Sequence, residues 1–272
     1  MKDYLGKNAE RLKNKKLWLF DLDGTVYVDD SLLPGATELL KYITDNNGRY
    51  VYITNNSSKS VEDYLIKAER IGLPADRDSF YTSAQATALY LTENYRDKKI
   101  YCQGTASFIT GLKNAGIDVT EETEKVDVVV VGFDTEMNME KLCRTCEILQ
   151  TQDVEFLATN PDLACPVSYG FMPDCGSICA VIKNVTGREP LFIGKPEPVM
   201  IECVMEKYGI GADETVVVGD RLYTDILSGI NAKVDAVCVL TGEATVEEIT
   251  GGSIKPDYTF LDLKRIYEGL VD

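Results

Sequence analysis

Short apolar runs alternate with amphipathic segments along most of this chain. The apolar runs predict strands at 17–20, 50–53, 99–102, 126–131, 154–158, 191–193, 215–218 and 234–240. The amphipathic segments predict helices at 35–45, 61–71, 84–94, 139–151, 197–208 and 224–232. Because strands that are apolar nearly throughout are buried on both faces, this alternation predicts an α/β fold with a parallel sheet and helices on both faces.

Small polar, acidic or cationic residues follow four of the predicted strands. These strand ends read "DLDGT" (21–25), "TNNSS" (54–58), "IGKPEP" (193–198) and "VVVGDRLYTD" (216–225). Open α/β sheets bind ligands beyond the carboxyl ends of their strands, so the four ends predict one functional site. Strand ends in the middle third are less charged, apart from "VGFD" (131–134) and "ATNPD" (158–162), which predicts a separate α/β unit inserted into the first.

Composition limits the classes of partner and the compartment. The chain has 272 residues and a formal net charge of −16, so nucleic acid and anionic membrane surfaces are poor partners. The charged N-terminus and the absence of a long apolar run predict neither a signal peptide nor a membrane span. Eight scattered cysteines are too few for a disulfide scaffold of this size, so we expect a cytoplasmic protein with reduced thiols.

The sequence contains no histidine. This excludes Ser-His-Asp triads and zinc sites that use histidine together with cysteine. General acid-base catalysis would therefore have to use carboxylate, lysine, tyrosine or cysteine side chains.

The four strand ends together carry Asp21, Asp23, Asp220 and Asp225 with one lysine, Lys195. Carboxylates clustered in a cleft repel one another unless a cation lies among them. Oxygen ligands with room for water and substrate phosphate suit Mg²⁺. Together with Lys195 and the hydroxyl of Thr54 as donors, the set predicts a site for a phosphoryl group.

The spacing of Asp21 and Asp23 predicts two different roles in phosphoryl transfer. Residues two apart on a strand point to the same side, and a turn at Gly24 can direct backbone N–H groups inward. One carboxylate can attack phosphorus and form an aspartyl-phosphate, while the other transfers protons. We assign the nucleophile to Asp21 and the acid-base role to Asp23.

Four motifs of the chain resemble, in order and spacing, those of haloacid dehalogenase (HAD) superfamily phosphatases. They read "DLDGTV", "YITNN", "GKPEP" and "VGDRLYTDI". The chain more specifically resembles NagD-like phosphatases, which include p-nitrophenyl phosphatases and ribonucleotide monophosphatases. Segments such as "YTSAQATALYL" (81–91) and "TGREPLFIGKP" (186–196) are similar to parts of that group. The resemblance covers nearly the whole chain.

The resemblance implies a Rossmann-like core at 1–82 and 188–272, with an inserted α/β cap at 83–187. It also implies that the phosphoryl group is held by side chains and backbone amides from Gly24, Thr54, Asn55 and Lys195. Mg²⁺ would be held by Asp21, the backbone carbonyl of Asp23 and Asp220, with Asp225 supporting the ion or orienting Lys195. The expected substrate is a small phosphomonoester, and the resemblance is compatible with a homodimer formed through the cap.

Two positions in the predicted cap are notable. Asn160, in "TNPD", is expected either to contact the substrate or to form a turn before Pro161. Asp174, in "PDCGS", replaces the first glycine of a Pro-Gly-x-Gly-Ser pattern that is frequent in the family. Its carboxylate is expected either to alter substrate preference or to lie in solvent.

Three other functions are compatible with parts of the sequence. A phosphotransferase or mutase would use the same aspartyl-phosphate but pass it to a second hydroxyl. A non-hydrolytic, phosphate-responsive regulatory protein also uses acids and Mg²⁺, but it needs no aligned proton-transferring Asp23. The Cys143–Cys146 pair of "CRTC" fits a thiol redox protein, although the surrounding apolar pattern favours packing roles for both thiols.

Overall fold

The computed structural model describes residues 1–167 and 169–272. Its strands are β1 (Leu17–Phe20), β2 (Tyr27–Val28), β3 (Ser31–Leu32), β4 (Arg49–Thr54), β5 (Phe80–Thr82), β6 (Ile100–Gln103), β7 (Val119–Thr120), β8 (Val128–Val131), β9 (Glu155–Ala158), β10 (Ala164–Val167), β11 (Gly170–Pro173), β12 (Leu191–Phe192), β13 (Thr215–Gly219), β14 (Asp235–Val239) and β15 (Tyr258–Phe260). Its α-helices are α1 (Ala36–Asp45), α2 (Val61–Ile71), α3 (Ser83–Asn94), α4 (Ala106–Asn114), α5 (Met139–Thr151), α6 (Cys175–Thr186), α7 (Val199–Tyr208), α8 (Leu227–Asn231), α9 (Val246–Gly251) and α10 (Leu263–Val271). The 3₁₀ turns are Glu10–Asn14, Arg77–Ser79 and Ala212–Glu214, and Leu222–Ile226 forms a π-helical turn.

The chain folds into two compact units. The first contains Met1–Thr54, Asp63–Tyr81 and Lys195–Asp272. The second contains Asn55–Glu62 and Thr82–Gly194. In the order of the chain, the second unit is therefore inserted into the first.

The sheet of the first unit has the strand order β15-β14-β13-β1-β4-β5. β1 pairs in parallel with both β13 and β4, with Phe20 opposite Val218 and Tyr52. All four residues of β1 are buried, because a central parallel strand is covered on both faces. This register brings the carboxyl ends of β1, β4 and β13 to the same edge of the sheet.

The second unit has its own parallel sheet, with the strand order β12-β9-β8-β6-β7, and a separate antiparallel hairpin of β10 and β11. α3 begins with a capping box in which Thr82 and Gln85 satisfy each other's backbone N–H groups. The four valines of β8 are buried in the core of this unit. Both units therefore have the α/β architecture that the alternating pattern predicts.

All eight predicted strands and five of the six predicted helices are present, with small shifts at their ends. The sixth predicted helix, 224–232, is a π-helical turn, Leu222–Ile226, followed by α8. The predicted helices did not include α4, α6, α9 or α10, and the interpretation also missed several strands of two to four residues, which are too short to show a periodicity. Within the described residues, every helix is too short or too polar to cross a lipid bilayer.

Candidate active site

The strand β1 delivers Asp21 to the carboxyl edge of the first unit's sheet. The backbone N–H of Asp21 donates to the carbonyl of Val218 at 2.9 Å, which continues the pairing of β1 with β13 by one residue. Its side chain is only 15% exposed. The apolar strand therefore fixes a largely buried carboxylate at the point where the sheet ends.

Lys195 links two of the carboxylates at this edge. Its Nζ lies 2.6 Å from Asp21 Oδ1 and 2.6 Å from Asp225 Oδ1, and it donates to the carbonyl of Ile53 at 3.1 Å. Burial alone would lower the pKa of Lys195, but the carboxylates of Asp21 and Asp225 raise it above the ordinary value. Lys195 is therefore a permanent ammonium that bridges two acids.

The acidic cluster of Asp21, Asp220 and Asp225 contains more negative charge than Lys195 neutralises. One carboxylate oxygen from each residue lies within 4.8 Å of the other two. Burial, followed by the charge of Asp225, raises the pKa of Asp220 to about 6. The same two causes raise the pKa of Asp21 well above its ordinary value, and Lys195 opposes them.

This donor set fits a hard divalent cation. It consists of carboxylate oxygens at short mutual distances, which is the ligand chemistry of Mg²⁺. The raised pKa values show that the carboxylates repel one another in a dry environment, and a cation would relieve this repulsion. Asp225 already accepts hydrogen bonds on both oxygens, from Lys195 and from the backbone N–H of Arg221, so it suits a supporting position.

Glycines allow the backbone to approach Asp220 closely. A Cβ at Gly24, whose φ is +87°, would lie 2.7 Å from Asp220 Oδ2. A Cβ at Gly242 would lie 1.9 Å from the same atom. The turn predicted at Gly24 is therefore a tight one, and a larger residue at either position would collide with the carboxylate.

The sequence interpretation missed a fifth strand end that contributes to the site. The segment "TGE" (241–243) follows β14, and the backbone N–H of Glu243 donates to Asp220 Oδ2 at 2.8 Å. Thr241 Oγ1 donates to the carbonyl of Gly24 at 2.6 Å, and Thr25 Oγ1 donates to Asp220 Oδ1 at 3.1 Å. A Thr-Gly pair after a buried strand was the signal that could have identified this end.

Asp23 lies outside the group formed by the other three acids and is more exposed. Its side chain is 43% exposed, and the Lys67 ammonium lies 3.9 Å from its Oδ1. The same ammonium lies 3.6 Å from the ring centroid of Tyr27. The two aspartates of the motif therefore have different environments, one dry and close to Lys195, the other open to solvent.

Thr54, the last residue of β4, is buried in the first unit. The next residue, Asn55, belongs to the second unit, where its Nδ2 donates to Asp162 Oδ2 at 2.6 Å. The roles predicted for Thr54 and Asn55 in holding phosphate stay predictions, and the amide of Asn55 is already bonded within the second unit.

Asn160 is fully buried in the second unit. Its Nδ2 donates to Asp162 Oδ2 at 2.9 Å and to Asp174 Oδ1 at 3.1 Å, and its Oδ1 accepts from Thr159. Asp174 is also buried and caps α6 by accepting from the N–H of Cys175 at 2.5 Å. The expectation that Asp174 lies in solvent is wrong, because its carboxylate accepts from the backbone N–H of Cys175 and from the side-chain amide of Asn160.

The thiols of "CRTC" are also placed by the structure. Cys146 is buried in the core of the second unit, and burial raises its pKa. Cys143 is exposed, so the expectation of a packing role is confirmed for Cys146 and wrong for Cys143. All eight cysteines are free thiols.

Comparison with known proteins identifies the family of the chain. Residues 18–118 match the family model of haloacid dehalogenase-like hydrolases, and residues 192–266 match a second HAD-hydrolase-like model. The chain is 38% identical over 259 residues to the acid sugar phosphatase of Staphylococcus saprophyticus, covering 95% of this chain and 99% of that protein. It is 36% identical to the acid sugar phosphatase of Staphylococcus haemolyticus, covering 93% of this chain and 95% of that one.

Two solved structures have the same fold over nearly their full length. The 4-nitrophenylphosphatase of Thermotoga maritima superposes with a TM-score of 0.91 at 36% identity, covering 96% of this chain and 100% of that one. NagD from E. coli K-12 superposes with a TM-score of 0.84 at 33% identity, covering 92% of this chain and 97% of that one. The likeness thus extends over both units of the chain.

Proposed function

The chain belongs to the haloacid dehalogenase-like hydrolases, among their NagD-like phosphatases, and on this premise we propose that it is a Mg²⁺-dependent phosphomonoesterase acting through an aspartyl-phosphate. The observation that carries the proposal is the cluster of Asp21, Asp220 and Asp225 around Lys195. Its carboxylates are arranged for one cation, and one of them stands at the end of the central strand. The substrates are small organic phosphates, namely sugar phosphates, nucleoside monophosphates and aryl phosphates.

In the first half-reaction a carboxylate oxygen of Asp21 attacks phosphorus. The new bond from phosphorus to Asp21 forms as the bond to the leaving alcohol's oxygen breaks. Asp23 gives its proton to that oxygen, so the alcohol leaves neutral. The exposure of Asp23 suits this role, because its proton must pass to a leaving group and later come from water.

In the second half-reaction Asp23 removes a proton from a water molecule. The water oxygen bonds to phosphorus, the bond from phosphorus to Asp21 breaks, and inorganic phosphate leaves. Lys195 keeps the returning carboxylate of Asp21 ionised through its 2.6 Å contact. Both Asp residues end in the state in which they began.

Mg²⁺ would be held by Asp21, Asp220 and the backbone carbonyl of Asp23, with Asp225 supporting Lys195. The ion supplies positive charge for the equatorial oxygens of the phosphoryl group. Thr54, the amides near Gly24 and Asn55, and Lys195 are the proposed donors to the same oxygens. Together they offset the repulsion between an anionic substrate and a chain with a net charge of −16.

The second unit is proposed as the cap that selects the leaving group. Domain closure over a catalytic site excludes water and restricts which substrates enter. The assignment of 83–187 to the cap and of 1–82 and 188–272 to the core stays part of this proposal, as does a substrate contact by Asn160. The names of the relatives, acid sugar phosphatase and 4-nitrophenylphosphatase, make sugar phosphates and nitrophenyl phosphate the first compounds to test.

The partner is a small molecule in the cytoplasm, without nucleic acid or membrane. A homodimer through the second unit is also part of the proposal, supported by Val181 and Val185, two exposed apolar side chains one turn apart on α6. The molecular mass in solution, measured by light scattering, tests the dimer.

The decisive experiment is release of phosphate from p-nitrophenyl phosphate and from sugar phosphates, with Mg²⁺ and after its removal by a chelator. We expect turnover only with Mg²⁺, and discrimination among substrates in kcat/KM. Adding a small alcohol tests the transferase alternative, because a phosphotransferase would form the new phosphate ester in preference to free phosphate. A regulatory protein would become phosphorylated on Asp21 without turnover.

A further inference from the structure

An ion pair joins two of the strand-end loops of the active site. Arg221 follows β13 directly after Asp220, and Glu243 lies in the loop that follows β14. Arg221 Nε lies 3.0 Å from Glu243 Oε2, and the two side chains are 16% and 48% exposed. The pair therefore crosses from one loop to the next at the border of the acidic cluster.

The backbones of these two residues hold the acids of the cluster. The N–H of Arg221 donates to Asp225 Oδ2 at 3.0 Å, and the carbonyl of Arg221 accepts from the N–H of Asp225 at 3.1 Å. The N–H of Glu243 donates to Asp220 Oδ2 at 2.8 Å. The two ends of the ion pair are thus the same two residues whose amides orient two carboxylates.

The loop after β14 lies tightly against Asp220. Ala244, the residue after Glu243 in this loop, donates from its N–H to the backbone carbonyl of Asp220 at 2.9 Å. Gly242 has no room for a side chain beside the carboxylate. A small movement of this loop would consequently change the position of Asp220, because both its carbonyl and its carboxylate are bonded there.

We propose that the Arg221–Glu243 ion pair is a positioning device that holds the loops after β13 and β14 so that Asp220 faces the metal and Asp225 faces Lys195. Groups that orient metal ligands from outside tune metal affinity, although they never touch the ion. The inference rests on the proposed function, because it assumes that Asp220 serves a divalent cation. It assigns neither residue to the reacting atoms.

The opposite charges of Arg221 and Glu243 allow an experiment to distinguish positioning from simple electrostatics. Loss of the Arg221 cation removes positive charge near Asp220, whose pKa it helps to lower. By charge alone this change would strengthen cation binding, whereas loss of the Glu243 carboxylate would weaken it. Positioning predicts instead that both losses weaken cation binding.

The experiment measures the Kd for Mg²⁺ by isothermal titration calorimetry on the full chain with Arg221→Met, Glu243→Gln and both changes. We expect each single change to raise Kd about three- to fivefold, the size of a partly exposed ion pair. The double variant should bind no more weakly than the weaker single variant, because both changes break one interaction. At saturating Mg²⁺, kcat should stay within about twofold of the parent, because neither side chain contacts the reacting atoms.

The matched control is Glu268→Gln, which breaks the 2.7 Å Arg265–Glu268 pair on α10, away from the acidic cluster. It should leave Kd unchanged. Equal or tighter Mg²⁺ binding by Arg221→Met, with the fluorescence of Trp18 showing a folded first unit, would overturn the inference. A parent protein that binds no Mg²⁺ would instead overturn the proposed metal dependence, and the inference with it.

Discussion

The first and second units both bury carboxylates, but they neutralise them differently. In the first unit Lys195 bridges Asp21 and Asp225, and Asp220 lies in the same acidic cluster. In the second unit the carboxylates of Asp162 and Asp174 accept hydrogen bonds from amide groups, among them Asn55 Nδ2, Asn160 Nδ2 and the N–H of Cys175.

The difference separates the proposed active site from a hydrogen-bonded network. Amide donors bind Asp162 and Asp174 and tie loops of the second unit together. In the first unit burial, followed by the charge of a neighbouring carboxylate, raises the pKa values of Asp21 and Asp220. Buried acids that lie close to one another and to a lysine therefore support the proposed catalytic site.

The strongest way to test this comparison is to remove one acid from each unit. We expect Asp21→Asn to lower kcat by about 10³-fold or more, because an amide cannot form the aspartyl-phosphate. The matched change Asp174→Asn should keep kcat within about tenfold, since Asn caps a helix about as well as Asp. Initial rates with p-nitrophenyl phosphate and Mg²⁺ measure both, and near-parent activity of Asp21→Asn would contradict the assigned nucleophile.

The lysines of the two units should differ in their effect on stability. Lys195→Met leaves two buried carboxylates without their ammonium, and we expect a loss of about 3–5 kcal/mol in the free energy of unfolding. Lys141, in the second unit, donates to Asp134, whose side chain is fully buried, and to the carbonyl of Gly104, and it is 27% exposed. Lys141→Met leaves one buried carboxylate, which still accepts from the N–H of Glu136, so it should cost about 2 kcal/mol.

Urea unfolding measures both lysine variants. The single tryptophan, Trp18, lies in β1, so its fluorescence reports the first unit, while circular dichroism follows helices of both units. Equal losses for the two lysine variants would show that Lys195 compensates no more buried negative charge than Lys141 does.

Asn160 tests whether the network of the second unit is structural. Asn160→Ala removes one donor from each of Asp162 and Asp174, and the loss of two hydrogen bonds to buried carboxylates should cost about 2 kcal/mol of stability. The Kd for Mg²⁺ should not change, because the metal is assigned to the first unit. The predicted substrate contact adds a second readout: a KM that rises more than the loss of stability explains would support it, and an unchanged KM would oppose it.

The smallest expected effect is a pH dependence of stability. The pKa of Asp220 is raised from 3.8 to about 6 by burial and then by Asp225. A carboxyl whose pKa is higher in the folded state adds stability when protonated, and this stability is lost as pH rises through about 6. We expect the metal-free first unit to be about 1 kcal/mol more stable at about pH 5 than at about pH 7.5.

Thermal unfolding followed by Trp18 fluorescence measures this difference, and Asp220→Asn is the matched variant. It should lose the part of the gain that Asp220 supplies, while Asp21, whose pKa is also raised, supplies its part in both proteins. The exposed carboxylates with lowered pKa values, such as those of Glu10 and Asp78, act in the opposite sense in both proteins. Mg²⁺ should raise stability more at the higher pH, because protons compete for the carboxylates. If Asp220→Asn showed the same pH dependence of stability as the parent protein, Asp220 would not be its source.

The sequence was sufficient to predict which strand ends hold the acids and the lysine of the candidate site. An apolar run that ends in "DLDGT" can only bury its strand and leave its acids at the edge, and the same holds for "VVVGD". The lysine of "IGKPEP" was identified in the same way, and the structure brings Lys195 together with Asp21 and Asp225. These features are local, because they depend on the pattern around each residue.

Contacts between distant segments were decided only by the tertiary structure. No local pattern could show that Thr25 and Glu243 both donate to Asp220, or that Asp174 caps α6 while accepting from Asn160. Periodicity reports which face of a segment is buried, but not which segment lies opposite it. The uneven charge balance of the two units therefore followed from the fold, since it depends on which donor each carboxylate meets.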